Sequence, residues 1–96
     1  MTEELTTNTQ TREFEILNQY GIHARPATLL VKASTRYNAE ITIENDGNVV
    51  SGASIMGLMT LAAACGTKLK VTAEGEDCEE ALDHIQELFE RKFDED

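Results

Sequence analysis

In Gly21-Ile22-His23-Ala24-Arg25-Pro26-Ala27, running on into Thr28-Leu29-Leu30-Val31-Lys32-Ala33-Ser34, a break in the chain is followed by a helix. Gly21 interrupts the segment before it. Pro26 holds φ near the helical value and has no N–H to donate, so it belongs in the first turn of a helix. The helix therefore starts between His23 and Pro26. If Pro26 is the first helical residue, Arg25 is the cap; if Ala24 is first, the cap is His23. Either way the imidazole stands at a helix N-terminus, where free N–H groups amount to about half a positive elementary charge and attract anions. That potential disfavours the imidazolium and leaves a neutral, nucleophilic ring. Arg25 can fork two hydrogen bonds onto a phosphoryl group. Together these groups suit a place where a phosphoryl group is held covalently and passed on. The plainer alternative is an exposed histidine beside ordinary first-turn residues, and spacing alone does not separate the two.

Outward from this stretch, the helix is expected over Ala24–Tyr37. Ala27, Leu30, Val31 and Ser34 form its inner stripe, with Leu29 and Ala33 alongside. Asn38 is expected to end it in a left-handed conformation. Upstream, Arg12–Asn18 alternates as a half-buried strand with Phe14 and Ile16 inward. Downstream, Ala39–Glu44 alternates through Ile41 and Ile43. Asn45-Asp46-Gly47-Asn48 is a hairpin turn, and Asn48–Ser51 is the returning strand. A second helix is expected over Ser54–Ala64, with Ser54 as N-cap, Ile55, Leu58, Met59 and Ala62 repeating at helical spacing, Met56 off that stripe, and Gly66 as C-cap. Gly57, a weak helix former, suggests close packing or the close approach of another chain. Thr67–Glu74 is the clearest strand, with Leu69, Val71 and Ala73 on one side. Asp77, with Glu80 three residues on, is expected to cap a third helix whose core face is Ala81, Leu82, Ile85, Leu88 and Phe89. Strands polar on one side call for helices on the other face only, which gives a two-layer α+β domain. The helix after the first strand and the helix before the last are expected side by side. The domain is expected over residues 12–92, after a mobile leader at 1–11 and before a solvated acidic tail at 93–96.

Among 96 residues the chain carries 18 acids against 8 Lys and Arg, a formal net charge of −10, which argues against sequence-independent nucleic-acid binding. No acid falls between Gly21 and Ala39, where Arg25, Lys32 and Arg36 share a helical face. None falls between Gly47 and Ala73, where Lys68 and Lys70 stand. A neutral-to-basic surface is thus kept within an acidic protein. No run of apolar residues is long enough to span a membrane, and no secretory leader is evident. Cys65 and Cys78 have neither a zinc spacing nor a disulfide framework, so a reduced, cytoplasmic setting is expected. His84, beside Asp83 and off the apolar stripe, reads as a solvated residue without a metal-ligand partner.

Gly21-Ile22-His23-Ala24-Arg25-Pro26-Ala27, taken with Ser54-Ile55-Met56-Gly57-Leu58-Met59, resembles the phosphocarrier protein HPr family of the bacterial phosphoenolpyruvate–sugar phosphotransferase system. The likeness runs from Thr11 to Phe89 and includes the element order and the Ala73-Glu74-Gly75-Glu76 turn. It implies an open-faced sandwich, βαββαβα, with a four-stranded antiparallel sheet in the order 1-4-2-3 covered on one face by three helices. It implies that His23 is phosphorylated on its δ nitrogen by enzyme I, itself charged from phosphoenolpyruvate, and that the group passes to a histidine of a sugar-specific enzyme IIA. Arg25 would steady the phosphoryl group. The chain would then be a stoichiometric carrier rather than an enzyme, monomeric, with no cofactor or metal.

Ser54 falls where many relatives are phosphorylated by an ATP-dependent kinase, the HPr kinase/phosphorylase, although Ala53 stands where relatives often have lysine. As a plain N-cap Ser54 would contribute about 1 kcal/mol to its helix. As a phosphosite it would turn the docking face acidic and repel enzyme I. Ile55, Met56 and Met59 could form an apolar docking patch beside His23, methionine being adaptable to several partners; Ile55 and Met59 could equally be core. The alternative within the resemblance is a nitrogen-branch or purely regulatory paralogue that binds a transcription factor. Relatives specialised in that way can lack the histidine that this chain has.

Overall fold

Inward apolar residues at every second position set the sheet, and apolar stripes on the helices set what covers it. The computed structural model describes residues 8–61 and 63–95. In chain order these form β1 (Thr9–Glu15), α1 (Ala24–Arg36), β2 (Glu40–Asn45), β3 (Asn48–Ser51), α2 (Ile55–Thr60), β4 (Lys68–Glu74) and α3 (Cys78–Glu90), followed by a short turn of 3-10 helix at Lys92–Asp94. The antiparallel sheet has the order β1-β4-β2-β3. Its three helices make the other layer of an open-faced α+β sandwich. Phe14, Ile16, Ile41, Ile43, Leu69 and Val71 from the sheet side meet Leu30, Leu58, Leu82, Ile85 and Phe89 from the helices, all buried. Each such side chain stabilises the fold by about 1.5–3 kcal/mol relative to leaving it in water. α1 packs against both α2 and α3.

The open face is polar and matched across strands. Glu13 and Glu44 lie opposite Lys70, Glu15 lies opposite Lys68, and Thr72 lies between Thr11 and Thr42. The Thr11 and Thr72 hydroxyls are 3.0 Å apart. Lys68 and Lys70 thus face glutamates on neighbouring strands of the open face. The β2–β3 turn is as expected, with Asp46 and Gly47 both at positive φ.

Several expectations are corrected. β1 starts at Thr9, so Thr9–Thr11 pair with Glu74–Thr72 instead of lying in a leader. These residues are held by main-chain pairing, which leaves no side-chain alternation to read. The leader's residues 1–7 lie outside the described residues. Tyr37 turns extended at the end of α1, and Asn38 is not left-handed. Its N–H donates instead to the Asp77 carboxylate at 2.8 Å. That carboxylate, spent on Asn38, makes no side-chain cap to α3. α2 ends at Thr60 rather than Ala64, with Leu61 as its C-cap. Gly66 serves the next turn, where its N–H donates to the Ile16 carbonyl at 2.7 Å. Ala62 lies outside the described residues.

Residues 93–95 are not a free tail. Phe93 is fully buried, with its ring edge-on to Phe89 at 4.9 Å. Lys92, Phe93 and Asp94 all have positive φ, 54–61°. Successive left-handed residues cost about 1–2 kcal/mol each, and burial of the Phe93 ring offsets part of that strain.

Candidate functional site

The turn before α1 is set by contacts that admit little variation. Gly21 has φ +70°, and a side chain there would collide with the Ala63 carbonyl oxygen. The next N–H, of Ile22, donates to that same carbonyl at 3.0 Å. The exit from α2 is thereby pinned against the entry to α1. Asn18 is fully buried in this turn and its Nδ2 donates to the Gly21 carbonyl at 2.8 Å.

α1 begins at Ala24, so the cap is His23, with extended backbone and no side-chain bond into the helix. Its carbonyl accepts from the Ala27 N–H at 3.0 Å. The N–H groups of Ala24 and Arg25 have no partner within the helix, and Pro26 has none to offer. The imidazole is free to serve something other than its own helix. It is about 40% exposed. Its Nε2 lies 2.8 Å from Oε2 of Glu95. The other oxygen of that carboxylate accepts from Asn18 Nδ2 at 3.1 Å. Among the described residues Nδ1 has no hydrogen-bond partner. Tyr20, largely exposed, stands edge-on to the ring with centroids 6.3 Å apart. Arg25 is exposed and forms no ion pair among the described residues, so its guanidinium is uncommitted.

Ser54 caps α2 as expected, its Oγ accepting from the Gly57 N–H at 2.9 Å. A side chain at Gly57 would crowd Ser54 and Val50, so the glycine answers to close packing within the chain. On α2 only Leu58 is buried. Met56 is 77% exposed, and Ile55 and Met59 are also exposed at 40% and 45%. Of the two readings left open for Ile55 and Met59, the core reading is therefore excluded. A helix of six residues tucks a single side chain under itself and leaves the rest of its apolar surface outside.

Three residues at the site went unrecognised in the sequence: Asn18, Tyr20 and Glu95. The expectation of a solvated Asp94-Glu95-Asp96 tail is corrected at Glu95, whose side chain is only 18% exposed; Asp96 lies outside the described residues. The available signal was Phe93, which stands four residues after Phe89 and extends the inner face of α3 past its end. His84 is likewise not simply solvated, because its Nδ1 lies 3.1 Å from the Tyr37 hydroxyl. Among the described residues no group of three or more His, Cys, Asp or Glu could hold a metal ion. Nor is any described helix long and apolar enough to cross a membrane.

Comparison with known proteins matches residues 10–91 to the family model described as "PTS HPr component phosphorylation site". The chain is 44% identical to the phosphocarrier protein HPr of Treponema pallidum over 84% of its own length and 92% of that protein. It is 50% identical to the phosphocarrier protein HPr of Borreliella burgdorferi over 73% of its length and 81% of that protein. Among solved structures, HPr-C-His from Thermoanaerobacter tengcongensis aligns with a TM-score of 0.87 at 40% identity, covering 91% of this chain and 98% of that one.

Proposed function

The chain belongs to the HPr family of phosphocarrier proteins, and we propose that it carries a phosphoryl group on Nδ1 of His23, taken from enzyme I and delivered to an enzyme IIA. The observation that carries this reading is the half-exposed His23 ring at the start of α1, with Nδ1 unoccupied among the described residues. In the transfer, the Nδ1 lone pair forms the N–P bond. The donor's bond to phosphorus breaks as it forms, and its electron pair leaves with the donor. Delivery is the same exchange in reverse, with the acceptor's nucleophile displacing the imidazole. The N–H groups of Ala24 and Arg25 and the Arg25 guanidinium face the negative charge of the phosphoryl oxygens. No deep pocket is required, because the reacting partner is another protein that closes over the ring. Ile55, Met56 and Met59 supply the apolar docking patch.

Regulation at Ser54 is the second part of the proposal. Ser54 is the cap of the helix that bears the docking residues, and phosphorylation there adds about 1.5–2 negative charges at a helix start. A kinase of the HPr kinase/phosphorylase type would supply it. The helix end tolerates the charge, while the docking face turns acidic.

Incubation with enzyme I and phosphoenolpyruvate should add one acid-labile phosphoryl group to the wild-type chain and none to His23→Ala, read by intact mass. Phosphorylation persisting in that variant would overturn the assignment.

A further inference from the structure

Glu95 has no part in the transfer as described so far, yet its carboxylate makes the one side-chain hydrogen bond to the His23 ring among the described residues. It is held there from two sides. Asn18 Nδ2, itself buried and bonded to the Gly21 carbonyl, donates to Oε1. Both partners of that amide are acceptors, which fixes its orientation. Behind Glu95, the buried Phe93 and the left-handed Lys92–Asp94 turn bring the chain from the end of α3 back to the start of α1. The Glu95 N–H donates to the Lys92 carbonyl at 2.9 Å, closing the turn.

We infer that Glu95, braced by Asn18, is the positioning residue of the carrier histidine: it holds the proton on Nε2 and so keeps the lone pair on Nδ1. A carboxylate only accepts, so the ring nitrogen 2.8 Å from it carries the hydrogen. In the neutral ring the lone pair then lies on Nδ1. The two ring nitrogens diverge, so the carboxylate sits away from the arriving phosphoryl group. Once the N–P bond forms, the Nε2 proton stays in place and the ring bears a positive charge, which the Glu95 carboxylate balances. Glu95 touches neither phosphorus nor the donor. It acts through the ring.

The inference rests on the carrier reading, and one experiment separates the two. Full-length chain labelled with nitrogen-15 in histidine is examined by NMR at neutral pH as wild type, Glu95→Ala and Glu95→Gln. Phosphoryl uptake from enzyme I and phosphoenolpyruvate is timed for each. The wild type should show His23 almost wholly protonated on Nε2. Glu95→Ala should move the His23 ring nitrogens toward the mixture seen in free histidine and slow uptake about tenfold, the loss of one charge-assisted hydrogen bond. Glu95→Gln, whose carbonyl can still accept from Nε2–H, should keep the tautomer while losing rate. Ring nitrogens and uptake in Glu95→Ala identical to wild type would overturn the positioning role alone. A wild-type chain that takes no phosphoryl group on His23 would remove the carrier reading and this one with it. Circular dichroism of the variants checks that the fold is retained.

Discussion

At the residue scale, the role proposed for Arg25 falls on a side chain with no ion-pair partner among the described residues. Arg25 is exposed and unpaired among the described residues, so its removal costs the fold little. Arg25→Ala should leave thermal unfolding unchanged and slow phosphoryl uptake by about ten- to a hundredfold, the worth of one or two hydrogen bonds to a charged group. Arg25→Lys should recover part of that rate, since it restores the charge without the fork. A timed transfer assay with enzyme I checks both. His23 and Arg25 were legible in the sequence because the helix start that presents them is local, written in Gly21 and Pro26. Asn18 and Glu95 were not, because they meet only through the tertiary fold, 77 positions apart along the chain. In the sequence Asn18 closes the expected strand, and nothing in its neighbours announces that its amide is fully buried.

At the scale of the element, α2 shows where periodicity runs out. Ile55, Leu58, Met59 and Ala62 recur at helical spacing, but the helix stops at Thr60 and buries only Leu58 among its described residues. A stripe needs at least two turns to define a face, and this helix has fewer. β1 erred the other way. Its first three residues carry no apolar pattern, yet they are paired along the edge of β4. β4 and α1, with their long alternating or amphipathic runs, match their expected bounds to within a residue at each end, and α3 starts directly after Asp77 as expected. The capping of α2 was legible in Ser54 and carries a prediction. Ser54→Asp retains a cap acceptor but adds charge, so the fold should hold within about 0.5 kcal/mol. Transfer from enzyme I should slow, and a rate equal to that of the wild type would remove the regulatory role proposed for Ser54.

Across the whole molecule, the single helical layer follows from strands that are apolar on one side only, whereas the sheet order was implied by the family resemblance alone. The closing contact follows from neither, because an acidic terminus gives no sign that it will fold back. Phe93 is what holds it. Phe93→Ala should cost about 3–5 kcal/mol, a large share of the roughly 5–15 kcal/mol that keeps such a domain folded. It should also free Glu95 from the His23 ring. Chemical denaturation checks the first effect and the imidazole nitrogen resonances the second. The opposite side of the molecule has a different character. There Glu13, Glu15 and Glu44 face Lys68 and Lys70 across the strands, and threonines form the row beyond them. The molecule therefore has a back and a front. A tether or dye fixed through Thr72 would hold this small messenger by its shoulders and leave its hand free for whichever visitor comes to take or leave a phosphate.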